Sequence, residues 1–152
     1  MTSTDRIEKT IVLRAPRQRV WKALSDAREF GQWFGVVMEG EFVAGARVQG
    51  QITEPGYTHL RMDITIERVE PEHRFSWRWH PAAIEPDVDY AKEPTTLVEF
   101  TLEEVAGGTK HTVVESGFDR VPAARRAEAY RLNDGGWAEQ VQRIERHVAQ
   151  TA

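Results

Sequence analysis

LRMDITIERVEPEHRFSWRW, residues 60–79, reads as two antiparallel strands joined by a tight turn. Leu60, Met62, Ile64 and Ile66 alternate with Arg61, Asp63, Thr65 and Glu67, the period of a strand with one face on a core and one in water. Pro71-Glu72 turns the chain, and Phe75, Trp77 and Trp79 then share one face of a strand running from Arg74 to His80. An interior lined by such rings is either a solid core or an apolar pocket.

Working upstream, residues 7 to 14 alternate as a strand with Ile7, Ile11 and Leu13 on one face, ended by Ala15-Pro16. Pro16 suits the first turn of a helix that carries Val20, Trp21 and Leu24 at helical spacing. Ser25-Asp26 then caps a second short helix toward Trp33. Gly31, Gly35, Gly40 and Gly45 punctuate the next stretch, so residues 36 to 54 hold two short strands, the second from Arg47 to Thr53.

Downstream, residues 80 to 94 contain Pro81, Pro86 and Pro94 among acidic residues and form a long loop, a candidate lid. Thr95–Glu103 and Thr109–Phe118 pair as a hairpin around Ala106-Gly107-Gly108. After Pro122 the period becomes helical to the end, with Tyr130, Trp137, Val141, Ile144 and Val148 on one stripe. Gly135-Gly136 costs that helix about 2 kcal/mol of propensity relative to alanine, which points to a kink or a very close backbone approach. The order is therefore one strand, two short helices, six antiparallel strands and a long helix, an α+β arrangement in which the helix stripe needs the concave side of the sheet.

At 152 residues the chain fits one domain, taken as 1–152, large enough to bury a core without staples. It has no cysteine, which excludes disulfides, thiolate zinc sites, ordinary iron–sulfur ligation and cysteine nucleophiles, and fits a reducing compartment. The polar start leads straight into a strand, with no signal sequence and no membrane span, so a cytoplasmic location is expected. A net charge of -4 leaves no footprint for nucleic acid; Arg120, Arg125, Arg126 and Arg131 read as a solvated helix face.

Recognisable catalytic machinery is absent from the sequence. No two of His59, His73, His80, His111 and His147 stand at the spacing of a helical metal pair, and neither a nucleophile elbow nor a phosphate loop occurs. Glu115 and Asp134 are the best acid-base candidates, with Tyr130 as a third group able to polarise a substrate. Glu115 shares a strand face with His111 and Val113, opposite Val114, Ser116 and Phe118, and the alternation does not say which face looks inward. Gln49 and Gln51 leave the same question open, whereas Arg61, Arg78 and Asp63 belong to a wet outer face.

Ala15-Pro16 through Val20-Trp21-Lys22-Ala23-Leu24 to Trp33-Phe34-Gly35, then Pro71 to Trp79, Gly108-Thr109 and Gly136-Trp137, resemble the START-like (SRPBCC) superfamily, in its branch similar to the heat-shock-protein-90 ATPase activator. The resemblance spans residues 7 to 149 and implies a helix-grip fold, a curved sheet wrapped around the C-terminal helix. That superfamily uses the enclosed cavity for lipids, aromatic natural products and polyketides. The resemblance implies a pocket lined by Trp33, Phe34, Met62, Trp77, Trp79, Phe100, Phe118, Tyr130, Trp137 and Val141, with Glu115 and Asp134 as polar groups. Bacterial relatives also carry a label linked to vanillate O-demethylase reductase, whose iron–sulfur centre a cysteine-free chain cannot ligate in the usual way.

The leading expectation is a binding protein for a hydrophobic, aromatic or lipid-like small molecule, with no cofactor and no metal, and with neither nucleic acid nor membrane as partner. An enzyme of polyketide cyclase or hydrolase type is the alternative. A chaperone ATPase-activator-like interaction protein comes third, because the eukaryotic activators carry an additional N-terminal domain not found in this sequence. A homodimer is the default oligomer for a small domain.

Overall fold

The elements form in the expected order: β1 (Arg6–Leu13), α1 (Arg17–Ser25), α2 (Ala27–Phe34), β2 (Val36–Met38), β3 (Arg47–Ile52), β4 (Arg61–Glu70), β5 (Arg74–Trp79), β6 (Thr96–Val105), β7 (Gly108–Ser116) and α3 (Ala123–Gln150). The structure is a computed structural model that describes residues 5–82 and 90–150. Residues 83–89, the middle of the expected lid, lie outside the described residues.

The sheet is antiparallel throughout, in the order β1-β7-β6-β5-β4-β3-β2. Consecutive strands pair as hairpins from β2 to β7, and β1 closes on β7 with Arg6 opposite Ser116 and Leu13 opposite Thr109. A bulge between Ile66 and Arg68 interrupts the β4–β5 register, as expected where a strongly curved sheet bends. The result is an α+β helix-grip fold in which the curved sheet holds α3 on its concave side.

Local chemistry sets the helix ends. The Asp26 carboxylate accepts from the Glu29 N–H at 3.0 Å and caps α2, a contact worth about 1 kcal/mol. Gly35 ends α2 with φ +95°, a conformation that a side chain would strain. Gly31 lets α2 press on β2, since a Cβ there would sit 2.1 Å from the Val36 carbonyl oxygen. That contact covers part of the edge strand.

The core is aromatic at its centre. Trp77 meets Phe30, Phe34, Phe75, Trp79, Phe100 and Trp137 with ring centroids 5.1–6.4 Å apart. Most of these pairs are edge-on or tilted, the arrangements that ring quadrupoles favour. Each fully buried ring contributes on the order of 2–3 kcal/mol.

α3 crosses this core with its ends on different neighbours. Its N-terminal half lies along β1, where the Tyr130 hydroxyl donates to the Arg6 carbonyl at 2.9 Å and Lys9 pairs with Asp134 at 2.9 Å. Its C-terminal half packs on the short helices, with Gln140 donating to the Phe34 carbonyl and His147 paired with Glu29. The helix runs without interruption through Gly135-Gly136. The expected close approach there is not found: a Cβ on either glycine would meet nothing within 4 Å.

Candidate functional site

α3 presents two adjacent faces to the sheet. Ala129, Trp137, Ile144 and Val148 are buried against the core. Leu132, Asn133, Gly136, Gln140 and Arg143 instead line a cavity of about 640 Å³. Its other walls come from Phe34 at the end of α2, Ile52 and Met62 on β3 and β4, Leu60 before β4, Trp79 on β5, and Ala82 and Tyr90 from the two described ends of the long loop. Gly136 thus widens the cavity by having no side chain in it.

Behind this wall lies a fully buried carboxylate. Glu115 points inward from β7, which resolves the face that alternation left open, and both its oxygens accept two hydrogen bonds. Oε1 accepts from Asn133 Nδ2 at 2.9 Å and Trp137 Nε1 at 2.8 Å; Oε2 accepts from Trp79 Nε1 at 2.7 Å and the Thr96 hydroxyl at 2.5 Å. The four donors come from β5, β6 and two turns of α3, so one side chain bolts the sheet to the helix. All four are neutral, and among the described residues no cation pairs with Glu115. A carboxylate with both oxygens occupied in this way orients its partners and has no vacant site for a substrate proton.

Of the residues named for a pocket in the sequence, Phe34, Met62 and Trp79 are placed on the wall of this cavity. Trp33, Trp77, Phe100, Phe118 and Trp137 are buried in the packed core behind it, and Val141 packs on that core from the helix. Trp33 has its indole N–H on the Ala23 carbonyl at 2.8 Å. Phe118 packs edge-on against Tyr130, whose hydroxyl is committed to Arg6, and Asp134 is paired with Lys9; all three belong to the β1 end of the helix. Acid-base chemistry in the cavity therefore gets no reacting group from Glu115, Asp134 or Tyr130.

His111 shares the inner face with Glu115 but is buried farther along β7, stacked on Phe100 at 5.6 Å with neither ring nitrogen hydrogen-bonded. Burial holds it neutral, with a pKa lowered to about 4. At the cavity rim the residues are charged but mutually satisfied. Arg143 binds Glu54 at 2.9 Å and lowers its pKa, and Arg47 does the same to Asp63 through bonds of 2.9 and 2.6 Å. Arg61 is held by Glu39.

The expected solvated arginine cluster is only half as expected. Arg120 and Arg131 are exposed, but Arg125 donates to the Pro81 carbonyl and the Glu93 carboxylate and lies 4.7 Å over the Tyr90 ring. It thus fastens the described ends of the loop to the start of α3. The lining residues Leu132, Asn133, Gly136, Gln140 and Arg143 were not foreseen. Their three- and four-residue steps are visible in the sequence, with glycine at the centre as the one signal.

A second concavity, about 950 Å³, lies between α2 and the edge strand β2. Asp26, Arg28, Gln32, Val37, Glu41 and Val43 on its walls are exposed, beside the buried Gly31, Val36 and Phe42, so it is an outer groove at the sheet edge, away from α3. The smaller cavity against α3 is the candidate site.

Other proteins share both this fold and parts of the sequence. The model of the family described as Activator of Hsp90 ATPase homolog 1-like protein matches residues 14–149. No protein with a curated description matches the sequence. Among solved structures, DynU16, from the dynemicin biosynthetic locus, is 28% identical with a TM-score of 0.72 over 95% of this chain, which spans only 47% of DynU16. MLL2253 from Mesorhizobium loti is 23% identical with a TM-score of 0.74, covering 97% of this chain and 98% of its own. NE0264 from Nitrosomonas europaea is 17% identical with a TM-score of 0.75, covering 99% and 98%. The last two show the fold alone. On the match over residues 14–149 and the helix-grip architecture, the chain belongs to the Activator of Hsp90 ATPase homolog 1-like family of the START-like (SRPBCC) superfamily.

Proposed function

We propose that this protein binds a hydrophobic small molecule between the sheet and α3. The observation that carries the reading is the cavity of about 640 Å³ walled by Phe34, Ile52, Leu60, Met62, Trp79 and Leu132, within the usual size range of small-molecule sites. The apolar residues supply affinity, and the polar and charged residues that make up the rest of the lining, Asn133 and Gln140 among them, orient the ligand. The likeness to a protein of a biosynthetic locus supports a ligand of biosynthetic origin. The reading is of binding rather than turnover, because Glu115 is fully engaged and Asp134 and Tyr130 belong to the β1 end.

Nile red, a neutral apolar dye, tests this directly. It gains fluorescence on titration with the protein, and native mass spectrometry finds a ligand retained at one-to-one stoichiometry. Absence of both signals at millimolar ligand sinks the proposal. A cytoplasmic location fits the cysteine-free composition, and no described helix is long and apolar enough to cross a membrane. A homodimer is the state we propose for a domain of this size, and sedimentation equilibrium decides it.

The family description favours a second reading, a partner that stimulates a chaperone ATPase. ATPase rates of a bacterial homologue of that chaperone, measured with and without the protein, test it; an unchanged rate removes it.

A further inference from the structure

The first residues of β4 line the cavity before β5 has joined them. Backbone bonds run from the Ile66 N–H to the Ala46 carbonyl at 2.8 Å and from the Ile52 N–H to the Leu60 carbonyl at 3.3 Å. The even-numbered residues of this stretch thus turn their N–H and C=O groups toward β3, and Arg61, Asp63 and Thr65 turn theirs toward β5. Thr65 is met there by Arg78, and the ladder ends at that pair because β5 stops at Trp79. His80 takes its ring to the Glu93 carbonyl at 3.0 Å, and no backbone bond joins it to Asp63.

Arg61 and Asp63 therefore each keep a backbone N–H and C=O without a partner among the described residues, and both residues line the cavity. Two residues of strand set these groups about 6.8 Å apart, the repeat of an extended peptide. Side chains alternate around them. Arg61 and Asp63 are exposed on the outer face of the sheet, whereas Met62 between them is buried on the inner face and lines the cavity with Phe34 and Trp79. An unpaired stretch of strand is a template for another strand, and here it runs beside an apolar space.

We infer that the cavity takes a ligand with a peptide backbone, a short extended segment laid along Arg61–Asp63 in the track that β5 vacates, with an apolar side chain at its middle position. This inference rests on the reading of the cavity as a binding site. The outer two residues of the segment exchange N–H···O=C bonds with Arg61 and Asp63. The middle residue, opposite Met62, turns its own backbone groups away and its side chain into the cavity. The strand thus reads the backbone and the apolar wall reads the middle side chain.

The probe is acetyl-Thr-Phe-Thr-amide, titrated by calorimetry and as a competitor of Nile red. The expected result is displacement of the dye and slowed amide hydrogen exchange at Arg61 and Asp63 in the complex. N-methylation of either threonine weakens binding about tenfold, the scale of one net hydrogen bond, and N-methylation of the phenylalanine changes it by less than about twofold. Equal effects of methylation at all three positions, or binding that leaves the dye in place, overturns the inference while leaving the cavity a binding site. So does a peptide that fails to bind where Nile red binds. If neither peptide nor dye binds, the binding reading itself falls and the inference with it.

Discussion

The two faces of α3 differ in what they give the molecule. On the packed face, Trp137, Ile144 and Val148 bury their side chains, and Trp137 also ties its N–H to Glu115. On the open face, Leu132, Asn133, Gly136 and Gln140 line the cavity, and Gly136 lowers helix stability by about 1 kcal/mol relative to alanine. The packed face is built for stability and the open face gives some of it up for space. Such a helix carries its site on the side that contributes least to holding the fold together.

Changes on the packed face break this comparison with the largest effects. Glu115→Leu leaves four donors without an acceptor, and at about 1–3 kcal/mol for each unsatisfied group the total is at least about 4 kcal/mol. Urea unfolding followed by circular dichroism shows a large loss of midpoint or no folded baseline; a shift below about 1 kcal/mol would mean that the bolt is unnecessary.

The next effect concerns His111. Its folded pKa of about 4 lies below the ordinary 6.5, so between those values the unfolded chain takes up a proton that the folded chain refuses. This contribution is fully present above pH 6.5 and lost as pH falls toward 4, amounting to about 3 kcal/mol. In His111→Leu the stability profile loses that component. An identical slope in wild type and variant would show that the packed face is wet at His111.

On the open face the expected effects move from stability to binding. Gly136→Phe fills the cavity and weakens Nile red binding at least about tenfold, the scale of one lost apolar contact surface of ring size, with folding intact. Gly135→Ala, one residue away on the exposed side, raises stability by up to about 1 kcal/mol and leaves the dye affinity as it was. Equal loss of binding in both variants would erase the distinction between the faces. Smallest is Glu54→Gln at the rim, which removes a partly exposed ion pair with Arg143 and costs below about 1 kcal/mol. Thermal melts at low and high salt measure it.

The packed face was legible because burial follows hydrophobicity. Alternation in residues 60–79, the Asp26 cap and the spacing of Trp137, Ile144 and Val148 each map onto an observed element. The open face was hidden for the converse reason: a cavity wall of glycine, amides and a paired arginine has no hydropathy signature. Periodicity also put Tyr130 and Asp134 on the stripe of Trp137, but it does not say that the neighbour changes along the helix from β1 to the short helices. Glu115 was visible as an inward-or-outward choice, and only the pairing of β7 with both β1 and β6 resolves it.

The pairing of β1 with β7 also has a consequence for synthesis. Of the strands of this sheet, the one synthesised first has its partner more than a hundred residues later, Arg6 meeting Ser116. Until β7 emerges, the growing chain can assemble hairpins from β2 onward, while β1 has no sheet to join and Ile7 and Leu13 no core to enter. Closure of the sheet edge and seating of α3 along β1 are thus late, long-range events, and among the strands of this sheet β1 is the one that a ribosome-associated chaperone would have to shield longest.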